Sequence, residues 1–165
     1  MSEPVSAGAG PVRLLVRDST EADIAAIAAI YAHHVLHGTG SFELDPPSHD
    51  EIARRRADVL ANGFSHRVAE CDGAVVGFAY FNYFRLRPAY RFSVENSVYV
   101  QAGRARGGIG RALLADLIEC ADARGVRQMI AVIGDSGNLA SIRLHAACGF
   151  RMVGTLEAVG FKHGR

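Results

Sequence analysis

Between Val98 and Arg111 the sequence runs from three β-favouring residues, Val98-Tyr99-Val100, through a Gly- and Arg-rich stretch, Gln101 to Gly110, into an apolar stripe. The stripe is Ile109, Leu113, Leu114, Leu117 and Ile118, at the spacing of one helix face. A strand that turns through glycines into a helix leaves backbone N–H groups unpaired at the helix N-terminus, where the macrodipole adds about half a positive charge. Glycine lets an anion approach that backbone without a Cβ in the way. Arg104, Arg106 and Arg111 can pair with phosphate oxygens. The segment therefore reads as a cradle for the phosphates of a cofactor, or more plainly as a glycine-rich turn with solvated arginines. Two specific phosphate motifs are excluded. A Walker A loop needs Gly-Lys-Ser/Thr, and Gly110 is followed by Arg111. A dinucleotide fingerprint counted from Gly108 and Gly110 needs a third small residue where Leu113 stands.

The other segments supply a mixed α/β layer around this loop. Val12 to Arg17 reads as a strand, and Asp18-Ser19-Thr20 offers caps for a helix whose stripe is Ile24, Ile27, Ala28, Tyr31 and Val35. Gly38 and Gly40 end it, and Ser48 or Asp50 can cap a second helix that stops near Asn62-Gly63. His66 to Glu70 and Val75 to Phe84 flank Asp72-Gly73, a type I′ hairpin signal. Phe92 to Val100 is a further strand, Met129 to Ile133 a short buried one, Asp135 to Cys148 a helix, and Phe150 to Val159 a last strand. The order is β α α β β β α β α β, with a strand–helix–strand crossover from Val98 to Ile133.

At 165 residues the chain is expected to form one domain, residues 12–165, behind a Gly/Ala/Pro-rich tail, residues 1–11. Basic residues number 18 and acidic 17, so no global field draws nucleic acid or an anionic membrane. Cys71, Cys120 and Cys148 have no metal-ligand spacing, which suggests a reducing, cytoplasmic setting. His33, His34 and His37 invite a metal reading, but no carboxylate or Cys stands at a fitting local spacing, and an ordinary helix face is expected instead.

Two ordered motifs carry a resemblance. Arg106-Gly107-Gly108-Ile109-Gly110 is similar to the pyrophosphate loop of the GCN5-related N-acetyltransferases, with Ala105 at the usual Gln/Arg position. Asn138 to Phe150 is similar to that family's Asn-x-x-Ala…Leu-Tyr-x-x-x-Gly-Phe helix, with His145 at the Tyr position. Within the family, Ser41-Phe42, Ala89-Tyr90, Val94 to Val100 and Gly160 to Gly164 resemble the phosphinothricin and methionine sulfoximine/sulfone acetyltransferases. The resemblance implies a mostly antiparallel mixed sheet flanked by helices, acetyl-CoA as co-substrate, no metal, a homodimer and a small amine acceptor. The family pattern continues past Lys162-His163-Gly164 into one more strand, so a sheet one strand short is expected of these residues.

Candidate roles follow. Glu95, mid-strand, is either a salt-bridged surface residue or the base that frees the acceptor amine, and the resemblance favours the base. Strict alternation sets Glu95 with Ser97 and Tyr99, opposite Val98 and Val100; the resemblance implies a bulge between Val94 and Val98 that resets the facing. The backbone of Val98, Tyr99 and Val100 is expected to receive the pantetheine arm as an added strand. Arg104, Arg106, Gly107, Gly108, Ile109, Gly110 and Arg111 are expected at the diphosphate, and Asn138 at its helix cap and the pantetheine. His145 is either a structural hydrogen-bonder or the acid for the departing thiolate. Arg87 and Tyr90, in a cationic aromatic loop, with Phe42 and Glu43, are acceptor-wall candidates. The expected reaction is direct acetyl transfer to the α-amino group of a small amino-acid analogue. The rivals are transfer to another small amine or a protein N-terminus, and a non-catalytic acyl-CoA-binding module.

Overall fold

A computed structural model describes residues 13–104 and 107–164; Ala105, Arg106 and the 1–11 tail lie outside the described residues. Strand β1 (Leu14–Asp18) leads through a short 3-10 turn into α1 (Ile24–His37). The turn is set by Thr20, whose N–H donates to the Asp23 carboxylate at 2.7 Å and whose hydroxyl reaches the same oxygen at 3.0 Å. Helix α2 (His49–Ala61) starts on Ser48, whose Oγ accepts from Glu51 N–H at 3.2 Å. Strands β2 (His66–Cys71) and β3 (Ala74–Tyr83) form the hairpin. Asp72 and Gly73 have φ of 50° and 83°, both positive as a type I′ turn requires. Strand β4 (Ser93–Val100), helix α3 (Ile109–Ala123), strand β5 (Gln128–Ala131) and helix α4 (Leu139–Ala147) complete the elements.

The five strands lie in sequence order, with β1 to β4 antiparallel and β5 parallel to β4. Helices α1 and α2 cover one face, burying Ile27, Tyr31, Val35 and Ile52 against Val68 and Phe78. Helix α3 covers the other, burying Leu113 and Leu117 against Ala69, Ala79, Phe81 and Val94. Each fully buried Ile, Leu, Val or Phe among them stabilises the fold by about 1.5–3 kcal/mol.

Three expectations are corrected. Residues 150–159 form no strand: a β-strand exists through its ladder, and no described strand lies alongside them, so the outer edge of β5 is unpaired among the described residues. The β3–β4 register is continuous from Gly77↔Val100 to Tyr83↔Val94, so there is no bulge between Val94 and Val98. The one register shift within the antiparallel ladders is between Ala69 and Glu70. Helix α4 begins at Leu139 rather than Asp135, because Asn138 caps it, its Oδ1 accepting from Ser141 N–H at 3.2 Å.

Candidate active site

The loop between β4 and α3 folds on itself through Arg104 N–H to the Gln101 carbonyl (3.1 Å) and Gly107 N–H to the Arg104 carbonyl (3.3 Å). Gly108 is the N-cap of α3 at φ 74°, with no side chain capping the helix. The first helical bond runs from Ala112 N–H to the Gly108 carbonyl, so the amides of Ile109, Gly110 and Arg111 have no partner inside the helix. A Cβ built on Gly108 would meet nothing within 4 Å. Open space, a left-handed cap and three outward amides make a basin for an anion. Gly110 is small for a different reason: its Cβ would come within 3.2 Å of Leu144 and 3.6 Å of Val100, where α3, α4 and β4 converge. Arg104 and Arg111 are exposed around this basin.

The adjoining notch lies where β5 ends at Ala131. Pairing between β4 and β5 stops at Asn96↔Ala131, whereas β4 runs on to Val100. Past Asn96, the edge of Val98, Tyr99 and Val100 turned away from β3 therefore has no strand beside it among the described residues, and an extended amide-bearing arm can pair there. His34, weighed in the sequence as a metal candidate, donates from Nε2 to the Val100 carbonyl at 2.8 Å. Burial holds its pKa down, so it serves as a neutral donor. Among the described residues no group of three or more potential metal ligands is assembled.

The unbroken register fixes what Glu95 faces. Glu95, Ser97 and Tyr99 share the α1/α2 face with their cross-strand partners Asn82, Tyr80 and Phe78. Val94, Asn96, Val98 and Val100 point to the α3 side. Glu95 is half-buried, and that burial raises its carboxyl pKa, with Arg85 pulling the other way. A carboxylate made more basic by burial is suited to accept a proton. Burial also raises the Tyr80 and Tyr99 phenols, which therefore stay protonated on this face. Tyr99 stacks on Phe78 at 5.1 Å and meets Tyr31 edge-on at 5.0 Å.

Above them lies the loop after α1. Tyr31 Oη lies 2.9 Å from Ser41 Oγ and donates to Glu43 at 3.0 Å, and Glu43 is ion-paired with Arg55. Phe42 is 53% exposed and packs against the backbone of Gly160 and Gly134, where any Cβ would collide with it. Lys162, itself buried, donates to the Ser41 carbonyl at 2.7 Å. Glu43 and Phe42 thus belong to one braced loop. Arg87 and Tyr90 stand apart on the exposed β3–β4 turn, with Tyr90 edge-on to Phe84.

His145 sits on the other side of β4. Its Nδ1 lies 2.8 Å from the Ser141 carbonyl oxygen and its Nε2 3.1 Å from the side-chain oxygen of Asn96; burial lowers its pKa, and the neutral ring, with a single N–H, donates to one of these two acceptors. It is 6% exposed. Asn96 in turn reaches the Ile130 carbonyl at 3.5 Å, at the apex of the notch. The sequence held no signal for this pairing, nor for Arg55 and Tyr31 meeting Glu43, because each joins residues far apart in the chain.

Comparison with known proteins agrees with this geometry. Residues 16–165 match the family described as an acetyltransferase (GNAT) domain. The chain is 51% identical over 151 residues to phosphinothricin N-acetyltransferase of Alcaligenes faecalis, spanning 92% of this chain and 75% of that protein. It is 38% identical to L-methionine sulfoximine/L-methionine sulfone acetyltransferase of Salmonella typhimurium, over 92% of this chain and 88% of the other. A phosphinothricin acetyltransferase from Sinorhizobium meliloti, crystallised with acetyl-CoA, superposes with a TM-score of 0.89 at 46% identity, covering 92% of this chain and 82% of that one.

Proposed function

The chain belongs to the GNAT acetyltransferase family, and from that premise we propose that it transfers acetyl from acetyl-CoA to the α-amino group of a small amino-acid analogue of the phosphinothricin or methionine sulfoximine/sulfone type. The observation that carries this is the juxtaposition on β4 of a burial-raised carboxylate, Glu95, with a strand edge, Val98 to Val100, that has no strand beside it among the described residues and leads into a helix N-terminus with no side-chain cap. The co-substrate supplies an activated acetyl thioester and a diphosphate. The amides of Gly108 to Arg111 and the side chains of Arg104 and Arg111 hold the diphosphate, and Arg106 belongs with them on the sequence motif. The edge of Val98 to Val100 binds the extended arm, joined by Asn138 from the α4 cap. A β4 N–H directed at the thioester oxygen stabilises charge developing there, an effect of about 2.7–4 kcal/mol where single donors of this kind have been removed.

An alkylammonium is mostly protonated at neutral pH and is no nucleophile in that form. Glu95 takes the proton from it, directly or through water, and its raised pKa makes it a better acceptor than a solvated carboxylate. Phe42 and Glu43 wall the acceptor from the α1 side, with Arg87 and Tyr90 contributing from the β3–β4 turn. Of the two roles the sequence leaves open for His145, the structural one is assigned to it. Neutral, buried and set on the far face of β4 from Glu95, it serves as a positioning residue for Asn96 at the notch, not as the acid for the thiolate. The proton released from nitrogen as the amide forms is available to the sulfur.

The three cysteines are free, and no helix among the described residues is long and apolar enough to cross a membrane. The reading places the enzyme in the cytoplasm as a homodimer, which light scattering of the purified protein tests. The decisive assay is thiol release from acetyl-CoA across a panel of free amino-acid analogues and peptide N-termini. Release that depends on phosphinothricin or methionine sulfone supports the reading. Tight CoA binding without amine-dependent release would leave only an acyl-CoA-binding module.

A further inference from the structure

The backbone groups of β4 alternate between its two edges. Phe84 N–H donates to the Ser93 carbonyl (3.1 Å) and Gln101 N–H to the Val76 carbonyl (2.8 Å), so Ser93, Glu95, Ser97 and Tyr99 turn their polar groups to β3. Val94, Asn96, Val98 and Val100 turn theirs to the opposite edge. The Phe92 carbonyl keeps the same phase, accepting from Arg127 and Gln128 at the start of β5 (2.9 and 3.2 Å). Strand β5 ends at Ala131, opposite Asn96. The open edge beyond it therefore presents the N–H and C=O of Val98 and the N–H and C=O of Val100.

One of these groups is already engaged from another element. His34, in the last turn of α1, donates from Nε2 to the Val100 carbonyl at 2.8 Å, across 66 residues of chain. Its ring lies against Tyr99 at 5.4 Å and meets His33 edge-on at 5.8 Å. Ile27, Tyr31 and Val35 of the same helix are buried beneath the sheet, so α1 carries this donor to the strand at a fixed height. Burial keeps the ring neutral, and its single N–H is committed to Val100, which leaves it no proton to give to the reaction. Val100 is the last residue of β4, just before the turn into the anion basin. A strand end without an outer neighbour is free to fray, and an edge that must be straightened as a ligand binds weakens that binding. The bond to His34 holds the end straight in advance.

We propose that His34 is a positioning residue for the cofactor arm: by holding the Val100 carbonyl it keeps the end of β4 extended and leaves the Val98 N–H and C=O and the Val100 N–H to pair with the two secondary amides of pantetheine. This rests on the acetyl-transfer reading above, and it gives α1 a part in binding the acyl donor.

The test measures calorimetric binding of CoA, and of ADP as a diphosphate without the arm, to the wild type, His34→Phe, His34→Gln and His34→Asn, together with their melting temperatures and steady-state kinetics. Phe keeps a ring against Tyr99 and removes the donor. Gln places an amide nitrogen near the position of Nε2, and Asn is too short to reach it. His34→Phe and His34→Asn are expected to bind CoA about threefold to tenfold more weakly while ADP stays within about twofold, and His34→Gln is expected to recover most of the loss. KM for acetyl-CoA should rise by the same factor, and by more than kcat falls. An equal loss for CoA and ADP in a folded protein would show that His34 only packs the helix against the sheet. Unchanged or tighter CoA binding in His34→Phe would show that the Val100 bond does not serve the arm. Either result overturns the proposal. Should His34→Phe fail to fold, Gln and Asn decide: equal CoA affinity in the two overturns it. A wild type that binds CoA in a His34-dependent way yet releases no thiol with any amine would refute the acetyl-transfer reading and leave His34 its role. Amine-dependent release with CoA affinity independent of His34 would refute the His34 role alone, and a wild type that binds no CoA would refute both.

Discussion

Substituting Gly108 tests the anion basin most directly, because the structure separates strain from ligand loss. Gly108 caps α3 at φ 74°, a left-handed conformation that costs an L-residue about 1–2 kcal/mol. A valine there meets no neighbour within 4 Å of its Cβ, so the folded state loses little beyond that strain. For a chain of this size the loss corresponds to a fall in Tm of about 2–8 °C. Gly125, at the other end of α3, has φ 71° and equally open surroundings, and makes the matched control. Gly108→Val and Gly125→Val are therefore expected to melt at similar temperatures. They should differ in CoA binding. The strained loop can relax only by turning its amides away, and losing one charged hydrogen bond of about 1.5–3 kcal/mol weakens binding by about tenfold to about 150-fold. Calorimetric titration with CoA and differential scanning calorimetry measure both quantities. Unchanged CoA affinity in Gly108→Val, with the Tm lowered as in the control, would refute the claim that these amides hold the diphosphate. A loss of affinity equal in both variants would show that strain in α3 alone accounts for it.

Other expectations concern the chemistry and the fold. Glu95→Gln should lower kcat by about 10²–10⁴-fold while acetyl-CoA affinity stays within about threefold, as read from steady-state rates and titration. Because burial raises the Glu95 pKa, its protonated form persists to higher pH, so wild-type activity should fall away on the acid side above the ordinary carboxylate range; a profile of kcat/KM against pH that keeps this limb in Glu95→Gln would assign it to another group. On the positioning role proposed for His145, His145→Gln should reduce kcat without moving any alkaline limb of the rate profile; disappearance of such a limb would restore the acid role. The Arg17 guanidinium holds the buried Asp23 carboxyl down at about 2, against an ordinary value near 3.8. A depressed carboxylate contributes stability that is complete above its unfolded pKa and lost as pH falls through its folded one. Asp23→Asn should therefore cost about 2 kcal/mol at neutral pH, and the gap in denaturation midpoint from the wild type should close as pH falls from about 5 towards 2.

Local order was legible because it depends on near neighbours in the chain. The helix stripes, the Ser48 and Asn138 caps, the Asp72-Gly73 hairpin and the glycine turn before α3 each rest on contacts a few residues apart, and the structure carries all of them. The glycine loop and the Asn138 to Phe150 helix also carried the resemblance to acetyltransferases, since backbone recognition of a diphosphate demands particular small residues at particular places. The failures have one cause. Residues 150–159 have β-like composition, but a strand also needs a partner, and composition does not supply one. The bulge expected in β4 was invoked to turn Glu95; the continuous ladder to β3 leaves strict alternation in force, and the notch arises because β5 ends at Ala131 while β4 runs on to Val100.

From its residues alone the chain determined that β4 would run into a glycine-rich turn at a helix N-terminus, because that follows from backbone geometry within a few bonds; the unbroken alternation around Glu95 emerged only from the continuous ladder to β3. Only the tertiary structure decided which side chains meet on either face of that strand. His34 reaches the Val100 carbonyl, and His145 closes on Asn96, because α1 and α4 pack there, and packing is set by the shape of the whole buried core rather than by any local run of sequence.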